Sequence, residues 1–340
     1  MTVFELISKL SDTAQISGVE EVFPPLVSPL QTDSLGNAFC FIKGTSPNAK
    51  TVLFEAHRDE IGLCVAEILN GGFVKAVPCG GFDANVLPGH LFEIIGAERV
   101  FAIAASTPPH LSKLDKNNDK LKVQDLFFDT GYESSDELKK KISVGDPIII
   151  SAELAKMQDD KITGRSLDNK ISVAALLMAA ENLKAPVHNV VLLFSVGEET
   201  NSRGVRKICR EIKPDFAVVL DAGFAYSEGM DQTRCITMGR GPSVSYTDTL
   251  SLSATKFLVK VAEENNIPLQ KIAEPGGTGT SATAIQVEAG GIPVGVISIP
   301  VYNMHTAGEI ACERDVALAA ELICAVAKQK EIPQKEEMIL

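Results

Sequence analysis

Tryptophan is absent from this 340-residue chain, tyrosine occurs four times, and aromatic residues make up only 6% of it. A cleft that stacks sugar rings against aromatic faces has little to be built from. No two cysteines form a C-x-x-C pair, and the seven present (Cys40, Cys64, Cys79, Cys209, Cys235, Cys312 and Cys324) lie mostly among apolar neighbours. They read as buried free thiols, which argues against a thiolate zinc site or a disulfide framework. Basic charge is short as well: 32 Lys and Arg stand against 44 Asp and Glu, a formal net charge of −12. Nucleic acid and anionic membrane are therefore not expected as partners, because phosphate binding needs a basic face. No apolar run is long enough to span a bilayer, and the most apolar one, "VALAAELICAVAK", is short and broken by Glu321. The opening "MTVFELISKLSDT" has no apolar signal region and no cleavage site, so a cytoplasmic location is expected.

What is present is a change of texture along the chain. A first helix is expected over Val3–Leu10, with Phe4, Leu6, Ile7 and Leu10 on one face, followed by strands at "NAFCFIKG" and "KTVLFEA". From about Cys64 to Ile162 come short β-type runs ("GGFVKAV", "HLFEIIG", "RVFAIAA", "DPIIISAEL") between Gly, Pro and Asn clusters. Such spacing marks a small β-barrel or sandwich. After Asp168 helices and wholly apolar strands alternate: "NKISVAALLMAAENL", "NVVLLFS", "RGVRKICREI", "DFAVVLDAG", "SLSATKFLVKVAEENN", "PVGVISIP" and "ERDVALAAELICAVAKQK". Alternation of this kind predicts a mainly parallel sheet covered by helices on both faces. The expected fold is a three-layer α/β domain, residues 1–63 and 163–340, with a small β-barrel domain, 64–162, inserted in it.

In open α/β sheets, chemistry collects just past the carboxyl ends of the strands. His57 and Asp59 follow "TVLFEA", Glu198 and Glu199 follow "NVVLLFS", Asp221 follows "DFAVVL", and His305 follows "PVGVISIP". Asp168, in "GRSLDNK", immediately precedes the long helix. Taken singly, each has an ordinary structural explanation. Asp168 suits a helix N-cap, paired glutamates suit a solvated loop edge, and a lone histidine suits a hydrogen-bonded structural role. His90, His110 and His188 stay on that structural reading. The set of seven is another matter. Two imidazoles and three carboxylates can hold a pair of divalent ions such as zinc, cobalt or manganese. One carboxylate can bridge ions about 3.5–4 Å apart. Two acids are then left for orienting ligands and moving protons.

These pieces, with "LISKLSDTAQISGVEE", "GGFDANVLPG", "STPPHL", "GEETNSRG" and "GGIPVGVISIPVYNMHTAGE", resemble peptidase family forty-two over nearly the whole chain. These are dinuclear-metal aminopeptidases that assemble into tetrahedral dodecamers. The resemblance implies that His57, Asp168 and Asp221 hold one metal and that Asp168, Glu199 and His305 hold the other. It further implies that Glu198 is the general base and that Asp59 orients the His57 imidazole through its second nitrogen. The substrate would be a peptide with a free amino terminus. The inserted domain would serve dimerisation and assembly, giving a homo-oligomer from dimer to dodecamer.

The chain departs from the family pattern at three places. It has "GEE", with Gly197, where "QEE" is usual, and Tyr302-Asn303 where Arg-Tyr is usual. It also has Ser281 where a Gly-Thr-Asp-Ala segment carries its acid. These loops, with Arg240 of "MGRGP", are expected to line the substrate pocket. A glycosidase would need two carboxylates about 5–5.5 or 6.5–9.5 Å apart, and has no use for the histidines. A two-metal deacylase or carboxypeptidase is the nearer alternative. A particle that keeps its metals only for structure would have no use for Glu198.

Overall fold

In the computed structural model, residues 1–107, 121–274 and 276–334 are described; His110 and most of "STPPHL" lie outside them. The chain begins with α1 (Val3–Ser11), β1 (Gln31–Thr32), β2 (Ala38–Ile42) and β3 (Thr51–His57). The strands β4 (Gly62–Ile68), β5 (Phe73–Cys79), β6 (Leu91–Ile95), β7 (Arg99–Ala105), β8 (Phe127–Asp129) and β9 (Pro147–Ile150) then close a six-stranded barrel. A single helical turn, α2 (Ser135–Leu138), precedes β9. The barrel interior is filled by alternate residues such as Leu63, Phe92, Ile94, Phe128 and Ile148. Phe92 and Phe128 meet edge to face at 5.1 Å.

The rest of the chain alternates as its sequence predicts. It forms β10 (Ala155–Lys156), β11 (Lys161–Gly164), α3 (Leu167–Asn182), β12 (Asn189–Ser195), α4 (Arg203–Ile212), β13 (Phe216–Phe224) and β14 (Ser243–Tyr246). There follow α5 (Leu252–Glu264), β15 (Gln270–Ala273), α6 (Ala282–Gln286), β16 (Val294–Val301), β17 (Glu309–Cys312) and α7 (Glu313–Ala327). The main sheet runs β1-β2-β12-β3-β13-β16-β14-β15. Its central strands β12, β3, β13 and β16 are parallel. At the flanks, β2 joins β12 and β14 joins β16 antiparallel. The expected three-layer fold with a barrel is therefore present, with antiparallel strands added on both sides of the parallel centre.

Side-chain alternation divides the sheet between two cores. Val52, Phe54, Leu192 and Leu220 face α1, α3, α5 and α7. Leu53, Val191, Leu193 and Ala217 face α4 and α6. Full burial of each such residue stabilises the fold by about 1.5–3 kcal/mol. The sequence "NKISVAALLMAAENL" predicts for α3 one apolar face of Val173, Leu176, Leu177 and Ala180, but this helix is buried nearly all round, from Leu167 to Leu177. The sheet covers one side of it while α1 and α7 cover the other.

Two features aim the strand ends at one place. In the parallel ladder Ser195 lies beside His57, and Asp221 beside Ser298, so the carboxyl ends finish level. Past the end of β3, Glu60 ties in the next segment. Its buried carboxylate accepts from the main chain of Gln15 at 3.0 Å and pairs with Arg165 and Lys170, both at 3.1 Å. Burial alone would raise its pKa, but the two cations outweigh burial and hold it at about 2. Because the folded value is depressed, the stabilisation is complete above the unfolded value and fades as pH falls through it. We expect Glu60→Gln, which strands both cations, to cost ~3–5 kcal/mol at neutral pH. In a melting series against pH, the gap between wild type and variant should be widest at neutral pH. It should close as pH falls from about 4.5 towards 2. A gap independent of pH would show that the charge of Glu60 carries none of the effect.

Candidate metal centre

His57 is the last residue of β3, and its Nε2 faces Asp168 Oδ1 at 3.4 Å and Asp221 Oδ1 at 3.3 Å. His305, in the loop after β16, aims its Nε2 at Asp168 Oδ2 at 3.3 Å and at Glu199 Oε1 at 3.5 Å. The two oxygens of Asp168 thus point to two different donor sets. Within each set, the candidate ligand atoms all lie within 4.8 Å of one another. Five of the seven residues expected at the site are thereby brought into two clusters that share Asp168. The remaining two, Asp59 and Glu198, lie outside both sets and are joined by a hydrogen bond from the Glu198 main chain to Asp59 Oδ1.

These separations are long for hydrogen bonds, which favour about 2.7–3.2 Å. They suit ligands of a common cation. Donors about 2.0–2.2 Å from one ion at tetrahedral angles stand about 3.3 Å apart. Asp168 Oδ1 is moreover buried without a hydrogen-bond partner. The electrostatics have the same character. Burial pushes the carboxyls of Glu198 and Asp221 up to about 9 and about 6. Asp168 and Glu199 raise the His305 imidazole to about 10. Burial disfavours charge on His57, yet Asp221 and Asp168 raise its pKa well above the usual value. The cluster attracts positive charge, and a divalent metal meets that demand.

Main-chain hydrogen bonds to buried carboxylates fix the loops. Asp59 does this differently from the expectation. The His57 Nδ1 meets the main-chain carbonyl of Asp59 at 2.9 Å, whereas the Asp59 carboxylate is 3.8 Å away. That carboxylate instead accepts the main-chain N–H groups of Glu198 and Glu199, at 3.1 and 3.2 Å. Asp59 therefore holds His57 through its backbone and the glutamate pair through its side chain. The turn carrying that pair begins at Gly197, whose φ of 76° favours glycine. Asp168 is no N-cap. It stands inside the first turn of α3 with non-helical angles (φ −76°, ψ 104°), and its carboxylate turns towards the histidines.

Sequence reasoning missed Glu309 and Glu55. Glu309, 1% exposed, accepts from Asp168 N at 2.9 Å and from His305 N at 2.7 Å. It thus bridges two ligand-bearing segments. His305 sits at φ 64°, a left-handed conformation costing a non-glycine residue about 1–3 kcal/mol, so its backbone must be held. Glu55 is fully buried on β3, where Ser195 and Ser281 donate to its two oxygens. Burial raises it to about 7. The signal for it was a glutamate inside an otherwise apolar strand.

The three expected pocket residues are not clustered by any contact among the described residues. Ser281 is 1% exposed, and its hydroxyl is turned inward and donates to Glu55 of β3. Tyr302 is half-buried and pairs with Ile310 through the main chain. Arg240 is exposed at the tip of a turn whose Gly239 and Gly241 N–H groups both donate to Asp315 at 2.7 Å. His188, expected to be structural, accepts from Lys50 N and bonds the carbonyl of Lys330.

The sequence profile described as M42 glutamyl aminopeptidase matches residues 36–322. The chain belongs to this family and is thus a peptide-bond hydrolase of the metallopeptidase class, as the resemblance implied. A lysyl aminopeptidase of Pyrococcus furiosus is 28% identical over 97% of this chain and 98% of its own. An aminopeptidase structure from the archaeon Desulfurococcus kamchatkensis superposes with a TM-score of 0.87 at 28% identity, covering 96% of this chain and 94% of that one. A TET aminopeptidase from a marine-sediment Thaumarchaeota archaeon gives 0.88 at 26% identity, over 97% of both.

The bridging role of Glu309 is directly testable. Glu309→Gln puts an amide N–H₂ against one of two N–H donors, which frees either Asp168 or His305. Calorimetric titration of the metal-free variant should show binding weakened about 10–100-fold, a typical loss for groups behind the ligands. The loss should fall mainly on the site that includes His305. Wild-type isotherms would show that the bridge does not shape the centre.

Proposed function

We infer that the protein is a dinuclear metal-dependent aminopeptidase that removes the first residue of peptides with a free amino terminus. The observation that carries this reading is the sharing of Asp168 between two complete donor sets. His57, Asp168 and Asp221 would hold one divalent ion, and Asp168, Glu199 and His305 the other; imidazole and carboxylate donors suit zinc, and also cobalt or manganese. When bound, the ions supply Lewis acidity, lowering the pKa of water and polarising the scissile carbonyl.

Glu198 is the group left over for proton movement. It holds no place in either donor set, yet it stands beside Glu199 on the loop pinned by Asp59. Bound cations would offset the burial that raises the Glu198 pKa, so that in the proposed step its carboxylate takes a proton from water as the oxygen bonds to the carbonyl carbon. It gives that proton to the departing nitrogen as the C–N bond breaks. The products are a free amino acid and a peptide with a new amino terminus, with no redox change.

We also infer a homo-oligomer, from a dimer up to a tetrahedral dodecamer, assembled through the barrel. Similarity to a TET aminopeptidase supports this. So does the outer face of the barrel, where Phe73, Leu91, Phe101 and Ile103 are 37–56% exposed. Leu91 and Ile103 face each other across β6 and β7 and form part of an apolar surface.

The experiment is release of the first residue from matched free and N-acetylated peptides, using metal-stripped protein reloaded with zinc, cobalt or manganese. Only the free peptides should be trimmed. Glu198→Gln should lower kcat ~10²–10⁴-fold while two ions still bind. Cleavage of acetylated peptides would replace this reading with a deacylase or deblocking activity. Full turnover by the variant would remove Glu198 from the chemistry.

A further inference from the structure

A cleft of about 860 Å³ adjoins the metal centre where the barrel meets the His305 loop. The turn after β5 forms one wall with Phe82 and Asn85, and the segment leading to β8 adds Lys122 and Gln124. Met304 and Thr306, on either side of His305, form the inner end. The barrel comes right up to the ligand, for a Cβ on Gly81 would lie 3.6 Å from His305 Nδ1.

Burial gives the centre an inside and an outside. The side chain of His57 is 3% exposed, those of Asp168 and Glu199 8%, and that of Asp221 7%. His305, at 33%, is the open member, and it is the one that lines the cleft. An enzyme that cuts after the first residue must end the substrate at the metals and let the remaining chain out on the open side. The cleft volume falls within the ~300–1,000 Å³ that encloses a ligand of several groups, more than one side chain fills.

Resting on the aminopeptidase reading above, we propose that this cleft binds the peptide beyond the scissile bond, the portion released with a new amino terminus. Its lining matches that occupant. Asn85, Gln124 and Thr306 offer neutral hydrogen-bonding groups suited to main-chain amides, while Phe82 and Met304 offer apolar contact. Asp83 and Lys122 also line the cleft. An extended chain advances about 3.3 Å per residue, so a cleft of this kind rewards substrates longer than a dipeptide. The barrel then has a part in substrate binding within its own subunit, separate from any role in assembly.

The test compares kcat/KM of the metal-loaded full-length protein on an aminoacyl p-nitroanilide and on peptides of increasing length with the same first residue. For wild type, kcat/KM should rise with length beyond the dipeptide. In Phe82→Ala/Gln124→Ala the tetrapeptide-to-anilide ratio should fall about tenfold, which corresponds to ~1.4 kcal/mol of lost binding in the transition state. Melting temperature and metal content are read alongside, and Lys122→Glu gives a second, milder probe of the same ratio. A flat length profile in an active wild type overturns the proposal and leaves the aminopeptidase reading in place. A loss equal on all substrates, or a changed preference for the first residue, also overturns it, in the second case by giving the cleft to the first side chain. A wild type inactive on every substrate removes the aminopeptidase reading and this proposal with it.

Discussion

Crowded negative charge is the constraint to which the rest of this structure answers. Seven carboxyl groups (Glu55, Asp59, Asp168, Glu198, Glu199, Asp221 and Glu309) gather at the strand ends with only two imidazoles, His57 and His305, among them. Few of these groups have access to water. Two like charges about 4 Å apart repel by roughly 4 kcal/mol at the effective dielectric of a protein, so this assembly cannot hold every charge at once. It can take up protons, as the raised values of Glu198, Glu309 and Asp221 indicate. It can also take up cations, and the geometry around Asp168 prepares for them. The apolar core has to be strong enough to hold the cluster together, and the parallel ladder provides it by bringing the strand ends level.

The carboxylates around the two donor sets have a common task, because each ties together segments that lie far apart in the chain. Asp59 reaches from β3 to the loop of Glu198 and Glu199. Glu309 reaches from β17 to Asp168 and His305. Glu60 reaches from the end of β3 to the start of α3 through Arg165 and Lys170. A hydrogen bond to a charged group contributes about 1.5–3 kcal/mol, so the tie through Glu60, held ionised by its two cations, is comparable to a buried Leu or Phe of the core. Taken together, the ties of Asp59 and Glu309 fix the segments of Glu199, Asp168 and His305 by groups that belong to neither donor set. That separation lets the ligands stay close in spite of their repulsion.

The sequence revealed the chemistry more readily than the scaffold behind it. His57, Glu199, Asp221 and His305 were legible because each breaks out of an apolar strand at a place where open sheets put their sites. Asp168 was legible because "GRSLDNK" meets a long apolar helix. Nothing local distinguishes the carboxylates behind them. Glu309 lies four residues beyond His305 and could as well have faced solvent; only the strand pairing of β11 with β17, Gly164 opposite Glu309, turns it inward. The contacts of Asp59 were not legible either, for a similar reason. Spacing put its side chain near His57, but the tertiary fold offered two main-chain N–H groups to the carboxylate and left the carbonyl for the imidazole. β4 and β14 gave no clear strand pattern, since their residues mix small, polar and β-branched types.

The position of the barrel in the chain has a mechanical consequence. It is inserted between His57 and Asp168, so both of its connections to the sheet run straight into ligand-bearing segments. The incoming connection is Arg58 to Ile61, where Arg58 is held by Gly36 and Glu21 carbonyls and Glu60 by the N-terminal loop. The outgoing connection is β11, paired along its whole length with β17, which starts at Glu309. A displacement of the barrel would therefore act on the centre from two sides, through His57 and through the Glu309 clamp on His305. If the homo-oligomer inferred above is assembled through the barrel, whatever stabilises one conformation of the barrel would also stabilise one geometry of the candidate ligands.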